Sequence, residues 1–116
     1  MIKKHVISVS HALAGLAYGL STQPNFQVHL TLSILSIIAG TILKLSPVEW
    51  TILFLVIGCG LAVEFINTSI ESAVDLITDK YHLQAKIAKD TAAAAMLIYA
   101  ITAIVVAFFL FIPKIV

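Results

Sequence analysis

The chain has 116 residues, 60% of them hydrophobic and 11% charged, with a mean hydropathy of +1.06; these values exclude a water-soluble core and fit one integral membrane domain. A net charge of +1, with all seven basic residues lysines, leaves no basic face to neutralise phosphates in number and excludes a nucleic-acid binder. The lone Cys59, set in an apolar run, excludes an intrachain disulfide and a cysteine metal site.

Residues 1–22 place two lysines ahead of an apolar stretch, as a signal peptide does, but Ser8, Ser10, His11 and Gly15 interrupt the oily block that a signal core needs. Plotted as a helix, Val6, Val9, Leu13, Leu16, Ala17 and Leu20 share one face, and Lys4, Ser8, His11, Gly15, Tyr18 and Thr22 share the other. This predicts an amphipathic helix lying at the membrane surface. Gln23-Pro24-Asn25 ends it, because proline disfavours helical geometry in the residue before it. A first spanning helix is predicted over 26–45, and His29 near its start reads as an ordinary interfacial hydrogen bonder. Ser46 then suits an N-cap with Pro47 at the first helical position, and Trp50 marks the membrane interface. The next helix, over 48–78, is longer than the hydrocarbon layer, so its far end projects beyond it. A polar turn over 79–84 leads to a third spanning helix over 85–112, in which Ala92 to Ala95 permit close helix approach. Lys3, Lys4, Lys80, Lys86 and Lys89 fall on one side of the bilayer and Lys44 and Lys114 on the other, which turns the amino terminus towards the cytoplasm.

The stretch from Glu64 to Asp90 holds five of the six acidic residues. At about 100° per residue, Glu64, Asn67, Glu71 and Asp75 fall within roughly 80° of one another on one helix face. A row of solvated side chains on a helix leaving the membrane is the plain alternative. An ionisable group at the edge of an apolar run is nonetheless expensive and functional by default. The chemistry follows from the residue types. A hard oxygen ligand such as Glu71 suits Mg²⁺, a lysine such as Lys89 balances phosphate charge, and a second carboxylate such as Glu64 can take a proton from an alcohol. Those parts suffice for phosphoryl transfer, which needs positioning and charge stabilisation more than covalent chemistry. A small transporter or channel is the rival reading, but between Trp50 and Val63 only Thr51 and Cys59 would continue a polar path.

The run Glu64-Phe65-Ile66-Asn67-Thr68-Ser69-Ile70-Glu71, followed by Val74-Asp75, Tyr81-His82 and Ala88-Lys89-Asp90, resembles the E-x-x-N-[ST]-[AS]-[IL]-E, V-D, Y-H and A-K-D pattern of the prokaryotic diacylglycerol kinase family, which includes undecaprenol kinases. The resemblance extends over almost the whole chain. It implies an all-α integral membrane fold, a surface helix plus three transmembrane helices, assembled as a homotrimer with sites shared between subunits. It also implies a protein of the bacterial cell membrane that transfers phosphate from MgATP to a lipid alcohol. By matching position, Glu64 resembles the catalytic base, Asn67 a residue that orders the site, and Glu71 the metal-binding glutamate. Asp75, Lys80, Tyr81, His82, Lys89 and Asp90 match positions that contact the nucleotide, and Lys4 and His11 fall where relatives touch ATP with other residue types. Gln23 stands where the family commonly has a second metal-binding glutamate, so the metal relies on Glu71 with phosphate and water, or draws on the Gln23 carbonyl, or activity is weak. Asn25, His29 and a short amino terminus look more like the undecaprenol branch than the diacylglycerol branch.

Overall fold

The computed structural model describes the backbone of residues 2–116 and the side chains of residues 5–116. The described chain is all helical: α1 (Ile2–Thr22), α2 (Pro24–Ile42), α3 (Pro47–Ile77) and α4 (Leu83–Ile115). The last three are each long and apolar enough to cross a membrane. At 1.5 Å per residue the 31-residue α3 is about 46 Å long and outruns a hydrocarbon layer of about 30 Å.

Each break has a local cause. Gln23 is extended before Pro24, and the Gln27 side chain reaches back to donate to the Leu20 carbonyl at 2.9 Å, which sets the corner between α1 and α2. At the other end of α2, Leu45 N–H bonds the Gly40 carbonyl at 3.0 Å and Lys44 N–H bonds Thr41 at 3.3 Å, the paired bonds of a Schellman stop. That stop ends α2 at Ile42, short of the expected Leu45, and it holds Lys44 at φ 55, a left-handed conformation that costs a side-chain-bearing residue about 1–2 kcal/mol. Lys44→Gly is therefore expected to stabilise the chain by about 1 kcal/mol, and Lys44→Val to destabilise it, as read from unfolding in mixed micelles.

Ser46 caps α3 through a reciprocal box: its backbone N–H donates to Glu49 Oε2 at 2.7 Å, and Glu49 N–H donates to Ser46 Oγ. The same Glu49 carboxylate pairs with Lys114 Nζ at 3.0 Å, tying the start of α3 to the end of α4. α4 continues through Pro113 to Ile115, three residues past the expected end, although Pro113 has no N–H to bond the Phe109 carbonyl.

Interior contacts are few. Leu45, Leu53 and Leu110 form a buried cluster backed by Trp50, Ile57, Val106 and Phe111. Large apolar side chains such as Ile42, Ile104 and Phe109 face outward instead, about 70% exposed. Such a surface is satisfied by lipid, so close packing rather than water exclusion holds the helices together. Two glycines permit that packing. A Cβ on Gly60 of α3 would lie 2.1 Å from the Tyr99 hydroxyl of α4, and one on Gly19 of α1 would lie 2.7 Å from the Phe65 ring. Phe65 in turn meets Phe26 of α2, with ring centroids 4.6 Å apart.

Candidate active site

Helical spacing puts Gly60, Glu64, Asn67, Glu71 and Asp75 along one face of α3, and the packing of α2 and α4 decides which of them are covered. Glu64 is 2% exposed and Asn67 7%, the only buried polar side chains among the described residues. Asn67 Nδ2 donates to Glu71 Oε1 at 3.3 Å, which fixes the amide and leaves its oxygen free. Glu64 Oε2 and Asn67 Oδ1 are both buried without a hydrogen-bond partner. An unpaired buried polar atom costs about 1–3 kcal/mol. Two of them in adjacent turns mark a place built for something the polypeptide does not itself supply.

These residues line a cavity of about 370 Å³ together with Asn25 and His29 of α2 and Ala93, Met96 and Ala100 of α4. A second cavity, of about 300 Å³, opens further along the same face and is lined by Asp75, Lys80, Tyr81, His82, Lys86, Lys89 and Asp90. Here Lys89 Nζ meets Asp75 Oδ1 at 2.5 Å, joining α3 to α4, and Lys86 pairs with Asp90 within α4. His82 caps α4, its Nδ1 accepting from the Gln84 N–H at 3.2 Å. Because Glu71 and Asp75 are one turn apart, the carboxylate-lined cavity and the lysine-lined cavity adjoin.

The structure thus gathers the expected residues into two groups, Glu64, Asn67 and Glu71 in one and Asp75, Lys80, Tyr81, His82, Lys89 and Asp90 in the other. Three lie apart. Gln23 lines neither cavity, and its amide donates to Thr22 Oγ1 at 3.2 Å. His11 is exposed on α1 and also lines neither cavity. The Lys4 side chain falls outside the described residues. Asn25 and His29 are additions: the reading of His29 as an ordinary hydrogen bonder missed that Asn25 and His29, spaced i and i+4, share the α2 face turned to Glu64. Lys86 is likewise part of the second cavity, and its i,i+4 spacing from Asp90 was the available signal.

Among the described residues, no three His, Cys, Asp or Glu side chains gather to hold a metal unaided. The donors present nevertheless suit Mg²⁺, which binds through one or two carboxylates and completes its shell with phosphate and water. Glu71 supplies a carboxylate, and beside it lies the unpartnered carbonyl oxygen of Asn67.

Comparison with known proteins identifies the family. The family model described as Prokaryotic diacylglycerol kinase matches residues 10–111. The chain is 42% identical over 107 residues to the Undecaprenol kinase of Bacillus subtilis (strain 168), covering 92% of this chain and 87% of that protein. It is 38% identical over 109 residues to a Diacylglycerol kinase of a Synechocystis species, covering 93% of this chain but 62% of that protein, so it spans less than two thirds of this relative. A Diacylglycerol kinase of Helicobacter pylori is 40% identical over 73 residues, covering 63% of this chain and 57% of that protein. With its four helices, three of them apolar enough to span a bilayer, the chain belongs to the prokaryotic diacylglycerol kinase family.

Proposed function

We propose that this chain, a multi-pass membrane lipid kinase by its family, transfers the γ-phosphate of MgATP to the hydroxyl of a membrane lipid alcohol, with undecaprenol preferred over diacylglycerol. The observation that carries the reading is Glu64: a carboxylate buried at the rim of an apolar helix, with one oxygen unpartnered, in a cavity that adjoins a lysine-bearing one. In the reaction the lipid oxygen bonds to the γ-phosphorus, the bond from that phosphorus to the bridging oxygen of ADP breaks, and the lipid hydroxyl proton passes to Glu64. A general base must lie within hydrogen-bond reach of the proton that it takes. Burial keeps water away from Glu64, so that the alcohol rather than water meets it.

Asn67 orients Glu71 through its amide, and Glu71 is the residue that would hold the magnesium ion; Gln23, with its neutral carbonyl oxygen, is the weaker candidate ligand. When bound, the ion supplies charge neutralisation on the phosphates. Lys89 and the side chains of Lys80, Tyr81, His82 and Asp90 serve the nucleotide. The Asp75–Lys89 pair is 63% and 40% exposed, and such pairs contribute about 0–1 kcal/mol, so Lys89 exchanges its carboxylate for phosphate at little cost. Lys89→Met is accordingly expected to raise KM for ATP or lower kcat by about 10–100-fold with stability nearly unchanged, and a comparable loss of stability would show a structural role instead.

Lysine distribution supports a cytoplasmic site, and the outward apolar residues Val6, Val9, Leu13, Leu16 and Leu20 support α1 as a surface helix; Lys4 and His11 on its polar face are then candidates for ATP contact. A homotrimer would bring a neighbour's residues to each site. The preference for undecaprenol is supported by the likeness to a relative of that name and by Asn25 and His29 beside Glu64. The test is ATP-dependent phosphorylation by purified protein in mixed micelles offering undecaprenol or diacylglycerol. Faster turnover of undecaprenol is expected, and faster turnover of diacylglycerol reverses the assignment. A channel finds no support: Thr51 and Cys59, the polar residues of α3 below its acidic stripe, both face outward.

A further inference from the structure

Glu64 has neighbours of a kind that a base acting alone would not need. Gly60 lies one turn before it on α3, and the Tyr99 hydroxyl of α4 stands close against that glycine. The Tyr99 ring in turn meets the His29 ring of α2, with centroids 5.6 Å apart and planes inclined at 43°. Three helices therefore bring a carboxylate, an imidazole and a phenol to one level. His29 and Tyr99 are each half-buried, and neither side chain makes a hydrogen bond within the described residues. A polar tip in apolar surroundings ordinarily finds a partner, so both groups have capacity to spare for a ligand.

Where they stand indicates which ligand. Beneath this level an apolar groove of about 330 Å³ runs between α2, α3 and α4, past Leu32, Leu53, Ile57 and Leu110, and His29 and Tyr99 both line it. From Tyr99 to Phe111 it follows α4 for about 18 Å. Its serines do not make it polar, because Ser33 donates to the His29 carbonyl at 2.7 Å and Ser36 to the Leu32 carbonyl at 2.8 Å. His29 and Ala100 line this groove and the Glu64 cavity alike, so the two volumes meet at His29. A molecule with a long hydrocarbon chain and one terminal hydroxyl fits that junction, with the chain in the groove and the hydroxyl at the polar level.

The geometry points to His29 and Tyr99 as a positioning pair that holds the acceptor's hydroxyl against Glu64. This deepens the lipid-kinase reading and rests on it. The imidazole and the phenol can each share a hydrogen bond with the alcohol, leaving its proton directed at the Glu64 oxygen that lacks a partner. The pair serves the lipid and not the nucleotide, whose candidate cavity it does not line.

The test is steady-state kinetics of the full-length protein in mixed micelles, varying lipid alcohol and ATP separately. Tyr99→Phe keeps the ring and removes only the hydroxyl, and His29→Phe keeps an aromatic against Tyr99 and removes the nitrogens. Each is expected to lower kcat/KM for the lipid about tenfold and to leave KM for ATP within about twofold of wild type. His29→Gln, which restores a donor and an acceptor, is expected to recover most of the loss. Unchanged lipid kinetics in both aromatic variants would overturn the pair, as would a parallel rise in KM for ATP or a failure of His29→Gln to recover activity. Wild-type protein inactive on every lipid alcohol would instead overturn the kinase reading beneath it.

Discussion

Glu64→Gln is expected to lower kcat for lipid phosphorylation by about 10²–10⁴-fold, the range that a positioned general base contributes. The substitution is nearly isosteric, and the amide has no basic site with which to take the hydroxyl proton. KM for ATP should change little, because Glu64 lines the cavity of Asn67 and Glu71 and not the one bearing Lys89. Stability should hold or rise. Glu64 is 2% exposed with an oxygen that finds no partner, and a neutral amide is cheaper to bury than a carboxylate. Unfolding in detergent alongside the kinetics separates the two effects, and the combination of lost turnover with retained or improved stability is what a functional carboxylate predicts. A variant keeping more than about a tenth of wild-type turnover would remove Glu64 from the chemistry.

The second large effect belongs to Gly60. In Gly60→Ala the new Cβ would sit 2.1 Å from the Tyr99 hydroxyl oxygen and ring carbon, far inside any real contact. The ring cannot shrink, so α3 and α4 must separate or Tyr99 must leave its place, and overpacking of this kind costs about 1–3 kcal/mol or more. Because Tyr99 and Glu64 adjoin the same glycine, activity should fall together with stability. A double-mutant cycle isolates the cause: in a Tyr99→Ala background, Gly60→Ala should cost little further stability. An undiminished cost in that background would mean that the glycine is needed for some other reason.

Much of this was readable from residue pattern. The apolar runs and the Gln23-Pro24 and Ser46-Pro47 breaks announce four helices, since proline and capping chemistry act locally. The carboxylate stripe is equally legible, because helical periodicity alone places Glu64 and Glu71 on one face. What escaped is what depends on distant parts of the chain. Nothing local tells His29 that α2 will pack where its ring meets Tyr99, seventy residues later. Nor does the sequence reveal that Gly60 is a seat for an aromatic ring, because an isolated glycine in an apolar helix has many uses. The Lys44 stop escaped for another reason: a lysine in a left-handed conformation violates local preference and is held by the bonds of its neighbours. Gln23 lines neither cavity, and its amide nitrogen donates to Thr22 while its side-chain carbonyl oxygen stays open.

The clasp of Ser46, Glu49 and Lys114 has a mechanical corollary. It rivets the long helices α3 and α4 together at the end farthest from the candidate site, whereas at the other end they are joined by the turn over 78–82 and by the exposed Asp75–Lys89 contact. Two rods fastened at both ends cannot part as the arms of tweezers do. The pair therefore behaves as one closed frame, and a bulky, highly charged molecule near residues 75–90 gains its place by displacing an exposed ion pair, without the helices having to part.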